Sequence, residues 1–151
     1  MAGKNHVERS FRLSIDDSGG SPQDISGDIV PGTVNGGGFN YDGVDMTGVS
    51  AGVKQSAAGY ADAPVTFRAH MNDTASTGAT TVLNGIVGGA AVTLTMQWGQ
   101  SGAAPTTDDP EFEGEYVCLG APIVNDGGRF VHEVSLKPAA GASDPAWGTV
   151  T

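Results

Sequence analysis

A mainly β protein with one short helix and one long glycine-rich loop is the fold class that this chain of 151 residues predicts. Three observations carry that reading. Several segments alternate apolar and polar residues with the period of two that a half-buried strand requires. The composition holds 24 glycines and 8 prolines beside only 16% charged residues, which suits strands joined by long connections. Between residues 72 and 89 alone does an apolar stripe sit between helix start and stop signals.

Taken in order, the first strand runs from Ser10 to Asp16, with Phe11, Leu13 and Ile15 on one face and Arg12 and Ser14 on the other. Asp17-Ser18-Gly19-Gly20 is a turn signal. Asp24-Ile25-Ser26 and Asp28-Ile29-Val30, broken by Gly27 and stopped by Pro31, suit a bulged strand or an edge segment. From Gly32 to Gly59 the pattern loosens. Ten glycines between Gly19 and Gly52 rule out a regular packed element through most of it. Gly36-Gly37-Gly38 is no phosphate loop, since neither GxGxxG nor GK[ST] is present. A projecting hairpin or arm, ordered mainly by a partner, accounts for this stretch.

The organising unit is strand, helix, strand from Pro64 to Trp98. Val65, Phe67, Ala69 and Met71 alternate with Thr66, Arg68, His70 and Asn72; Val92, Leu94, Met96 and Trp98 alternate with Thr93, Thr95 and Gln97. One apolar and one polar face suit an antiparallel sheet packed on a single side. Asn72, Asp73 and Thr74 are candidate N-caps of the helix, and Gly88-Gly89 is its stop. Thr81, Val82, Leu83, Ile86 and Val87 form the expected buried stripe. After a connector, Glu111 to Leu119 is a strand; Asn125-Asp126-Gly127-Gly128 is a turn, and Arg129 to Lys137 is the last long strand. In it Phe130, His132, Val134 and Leu136 share a face, with Val131, Glu133 and Ser135 opposite. Residues 138–151 form a C-terminal tail in which Trp147, Thr149 and Val150 make a terminal strand or docking segment.

Net charge is −10 with a pI near 4.3, which argues against holding a phosphate backbone, because that requires clustered Lys and Arg. Cys118 stands alone and is read as a small core residue rather than a nucleophile. The polar start (Lys4, Asn5, His6, Glu8, Arg9) shows no signal peptide, and no run approaches the roughly 20 apolar residues of a membrane span. His6, His70 and His132 lack ligand spacing, so no metal is expected.

The sharpest local feature is acidic. Asp108, Asp109, Glu111, Glu113 and Glu115 place five carboxylates within eight residues, and the glutamates, two apart, share one face of a strand. An acid/base pair needs burial or a partner to separate its pKa values, and a calcium loop needs the D-x-[DN]-x-[DN]-G pattern; neither is present. A solvated acidic face and a face with an electrostatic task both remain open.

Phe11-Arg12-Leu13-Ser14-Ile15-Asp16 followed by Asp24-Ile25-Ser26-Gly27, then Asp45-Met46-Thr47, then Tyr60-Ala61-Asp62-Ala63-Pro64-Val65-Thr66-Phe67 ahead of the helix, and finally Gly127-Gly128-Arg129-Phe130-Val131 are short motifs in a telling order. Together they resemble the major tail tube proteins of long-tailed (siphovirus-like) bacteriophages. The resemblance implies a single tail-tube-like domain: a small β-sandwich or split barrel with one flanking helix and a long loop or arm around 32–59. It implies six copies in a ring and rings stacked into a tube, made in the host cytoplasm and resident in the virion tail. Tape measure and terminator proteins are the implied partners; DNA passes without specific binding, and neither cofactor nor catalysis is involved. On that reading Glu111, Glu113 and Glu115 are candidate lumen-facing acids, and Gly36, Gly37, Gly38, Phe39 and Tyr41 are a candidate inter-ring loop. A capsid decoration protein is the alternative. An enzyme or a carbohydrate-binding module is a further one, although Trp98 and Trp147 alone make no aromatic row.

Overall fold

A computed structural model describes residues 6–151; Lys4 and Asn5 of the polar start lie outside the described residues. The strands are β1 (Phe11–Asp16), β2 (Pro22–Asp24), β3 (Asn40–Asp45), β4 (Ser56–Asp62), β5 (Val65–His70), β6 (Val92–Trp98), β7 (Pro110–Gly120), β8 (Ile123–Asp126), β9 (Arg129–Pro138) and β10 (Ala146–Thr149), with one α-helix, α1 (Ala79–Ile86). Alternation decides their faces. β1 buries Phe11, Leu13 and Ile15, β6 buries Val92, Leu94 and Met96, and β5 buries Val65, Phe67 and Ala69.

These strands form two antiparallel layers with a shared member. The first reads β2, β1, β6, β7, with β10 on the far edge of β7. In the second, β9 lies between β5 on one edge and β8 together with the end of β7 on the other. β7 belongs to both: residues from Pro110 to Tyr116 pair with β10 and β6, and residues from Tyr116 to Gly120 pair with β9. On the opposite side the chain after β2 crosses between the layers. Ile25 N–H donates to Leu13 C=O, Val30 N–H to Arg68 C=O, and Asn35 and Thr66 exchange hydrogen bonds of 2.8 and 2.9 Å. The result is the expected β-sandwich, nearly closed into a barrel. Its core joins Leu13, Ile15, Leu94, Met96 and Phe112 of one layer to Phe67, Val134 and Leu136 of the other.

α1 starts later than Asn72, Asp73 and Thr74 suggested. Asn72 is spent elsewhere: its Oδ1 accepts from Thr74 N–H at 3.0 Å and its Nδ2 donates to Asp28. The N-cap is Gly78, which has no side chain to offer, and the Asp28 carboxylate accepts from Ala79 N–H at 3.1 Å in its stead. Only glycine fits there, since a Cβ would lie 2.3 Å from Asn72 O. The buried stripe is Ala79, Val82, Leu83 and Ile86; Thr81 is exposed and Val87 lies beyond the last turn, so neither belongs to it. Gly88, at φ 68°, ends the helix as its position predicted.

The segment after the first turn is an edge strand (Pro22–Asp24) followed by a 3-10 turn (Ser26–Asp28), the second of the two readings offered for it. On β9, Phe130 is exposed although it shares a period with buried His132, Val134 and Leu136. Val131 is buried on the opposite face, between Val124 of β8 and His70 of β5.

Candidate assembly surfaces

The stretch from residue 40 to residue 62 is a two-stranded arm. Among the described residues β3 and β4 pair only with each other. Between Tyr41/Ala61 and Gly43/Ala58, Asp42 faces two residues, Gly59 and Tyr60, so the arm carries a bulge. Its apolar side chains are mostly left uncovered by the described residues: Tyr41 is 61% exposed, Met46 63% and Tyr60 88%. The tip is ordered locally. The Asp45 carboxylate accepts from Thr47 N–H at 2.9 Å, and Thr47 Oγ1 accepts from Gln55 N–H at 2.9 Å. Hydrogen bonds from Thr47 hold the Asp45 carboxyl below the ordinary carboxylate range.

The root of the arm is fixed to the body at several points. Gly36 and Gly37 adopt φ of 155° and 80°, and a Cβ on them would meet Val65 at 2.8 Å and Trp98 at 2.6 Å. The chain therefore needs glycine here both for its turn and for its close approach. Phe39 sits edge-on to Phe112 at 5.7 Å between ring centroids. Lys137 Nζ donates to Asp62 at 2.7 Å, which keeps that carboxyl below its usual range, and Tyr116 OH donates to Ala63 C=O at 2.8 Å. Of the candidate loop residues, Gly36, Gly37, Gly38 and Phe39 thus lie at the root, and Tyr41 lies on the projecting strand. Met46, Val53 and Tyr60, equally exposed on the arm, carry no periodic signal because glycine and alanine fill the positions around them.

The three glutamates occupy the outer face of the first layer. Register sets Glu111, Glu113 and Glu115 opposite Gln97, Thr95 and Thr93 of β6. Each carboxylate accepts from that neighbour: Gln97 Nε2 at 2.6 Å, Thr95 Oγ1 at 2.9 Å and Thr93 Oγ1 at 2.6 Å. On the other side stand only Ala146 and Gly148 of β10. The ion pairs among the described residues lie elsewhere, on Arg68, Arg129 and Lys137. The row is therefore held by neutral donors, with no cation paired to it among the described residues. Among the described residues no three His, Cys, Asp or Glu side chains converge as metal ligands would.

The chemistry-bearing groups of the core are engaged structurally. His132 is fully buried, and its ring meets Ala121 O at 3.0 Å and Thr80 Oγ1 at 2.9 Å. Ala121 C=O can only accept, so Nδ1 carries a ring hydrogen and donates to it, while the Thr80 hydroxyl beside Nε2 also accepts from Asn72 N–H at 3.0 Å. Burial pushes the Cys118 thiol up and the Tyr116 phenol up to about 12. Trp147 packs tilted against Trp98 and edge-on to Phe112, at 5.3 and 5.1 Å between ring centroids, and closes one end of the core.

No family model matches the chain, and no curated protein matches its sequence. Among solved structures it is similar to a chain of the anti-feeding prophage (AFP) baseplate, determined by cryo-EM and six-fold symmetrised, with a TM-score of 0.66 and 9% identity. That correspondence covers 97% of this chain and 97% of the other. The two chains share a fold over nearly their full lengths.

Proposed function

We propose that this chain is a non-catalytic structural subunit of a phage-tail-type tube, in which six copies form a ring and rings stack. The observation that carries this reading is the arm, a regular two-stranded element with exposed Tyr41, Met46 and Tyr60 and no body of its own to pack on. Exposed apolar groups on a projecting element favour burial against a partner. The fold correspondence with a chain of a six-fold symmetrised baseplate supports a repeated subunit as that partner. Tape measure and terminator proteins complete the expected set, and the virion tail is the expected location. Purified protein at high concentration is expected to show rings and short tubes by negative-stain microscopy. A strict monomer at every concentration overturns the reading, and trimers or capsid-bound knobs favour a decoration protein instead.

The glutamate row is assigned to the lumen. Carboxylates held by neutral donors repel phosphates, so DNA slides past without sticking. Replacing Glu111, Glu113 and Glu115 together by Gln keeps strand geometry and the bonds to Thr93, Thr95 and Gln97. Tubes are expected to form as before while DNA ejection slows. Ejection rates that do not change, in particles with normal tails, place the row on the outside.

A further inference from the structure

Among the described residues the first layer ends in two unpaired edges, β2 on one side and β10 on the other. Every pairing between them is antiparallel: β2 with β1, β1 with β6, β6 with β7, β7 with β10. An even number of reversals returns β10 to the sense of β2. Copies related by a head-to-tail rotation of one-sixth of a turn cannot invert a strand, so these two edges meet in parallel.

The backbone groups on the edges suit that sense. Ile25 N–H donates to Leu13 C=O, so by the alternation of the ladder Gln23 also faces β1, while Pro22 and Asp24 face outward. Val150 N–H donates to Asp109 C=O, so Gly148 faces β7, while Trp147 and Thr149 face outward. With Trp147 set opposite Gln23 in a parallel ladder, Trp147 N–H reaches Pro22 C=O and Asp24 N–H reaches Trp147 C=O. Thr149 N–H then reaches Asp24 C=O. Every outward group of β2 is used, and the N–H that Pro22 lacks is not called for. An antiparallel partner would face Pro22 with a carbonyl that proline cannot satisfy. Trp147, 51% exposed in one copy, gains a neighbour on its own face.

We propose that β10 of one copy adds in parallel to β2 of a second copy, with Trp147 opposite Gln23. This rests on the ring reading above and specifies which edges close the ring.

The pairing puts Gly148 beside Asp24 on the solvent face, and Gly148 has open space around its Cα. The double variant Asp24→Cys/Gly148→Cys, assembled and then oxidised, is expected to run on a denaturing gel as a covalent ladder reaching six copies. Neither single variant is expected to cross-link, and the native Cys118 is buried. Dimers from Gly148→Cys alone indicate two-fold pairing of β10 and overturn the proposal. So do rings, seen by microscopy, that yield no ladder. If the unmodified chain forms no rings at all, the ring reading fails and the proposal with it. A second variant, Thr149→Pro, removes an outward N–H and no bond to β7. It is expected to keep the melting temperature of the monomer and to raise the concentration needed for assembly about ten-fold; an unchanged threshold overturns the pairing.

Discussion

On the tube assembly proposed above, deleting the arm, with residues 41–60 replaced by a two-glycine turn, is expected to leave a folded chain that no longer polymerises. Asn40 and Asp62, which pair at the root, stay in place, as does the bond from Lys137 to Asp62. Because the arm buries almost none of its surface on the body, the melting temperature is expected to move by no more than a few degrees. Assembly is another matter. Tyr41, Val44, Met46, Val49, Val53 and Tyr60 are the large apolar side chains the arm exposes. A few such residues buried against a neighbour contribute about 1–2 kcal/mol each. Losing about 3 kcal/mol raises the assembly concentration roughly a hundred-fold. Light scattering against concentration measures it, and a deletion variant that polymerises like the intact chain removes the arm from the interface. Hydrogen exchange supplies a second readout: amides of residues 46–55 exchange fast in free subunits and slowly in tubes. Equal rates in both states count against a stacking role.

The largest effect on the fold itself is expected at His132. Leucine at this position keeps the volume but strips both hydrogen bonds, leaving Ala121 C=O and Thr80 Oγ1 without the ring. Each polar group so abandoned in a buried site costs about 1–3 kcal/mol. A sum of about 4 kcal/mol corresponds to a fall of roughly 10 °C in melting temperature for a chain of this size. Thr80→Val is expected to cost a similar amount, since it leaves Nε2 and Asn72 N–H unpaired and keeps the bond to Ala121. In the double variant the two losses are expected to fall short of their sum, because each removes a partner of the other. Calorimetry on the four proteins checks this, and a His132→Leu variant as stable as the parent defeats it.

What the sequence revealed follows from where its periodicity is strong. β1, β5, β6 and β7 alternate large apolar residues with polar ones, and their buried faces were legible except for Met71, which was placed in the apolar row of β5 but lies beyond its end and is exposed. The helix stop was legible too, because Gly88 has a backbone requirement of its own. The helix start was not, since its capping carboxylate, Asp28, comes from a turn 51 residues away. The second strand of the arm was hidden for a different reason. Ser56-Ala57-Ala58-Gly59 has no core to face, so nothing in its side chains records a period. Glu111, Glu113 and Glu115 were correctly placed on one strand face, but their donors are on β6, and only register discloses which residue serves which. The buried state of Val131 depends on neighbours that lie across two strand pairings, beyond the reach of a local pattern.

One feature of the fold bears on how a subunit carries load. β7 runs unbroken from Pro110 to Gly120 and is laced by hydrogen bonds to β6 and β10 in one layer and to β9 in the other. In a sandwich whose layers touch only through side chains, a shearing force is opposed by dispersion contacts that slide past one another at small cost. Here the same force must stretch covalent backbone or rupture several ladder bonds at once. The two layers are therefore expected to resist shear together, with the load carried by the backbone of β7 and its ladder bonds rather than by side-chain contacts in the core.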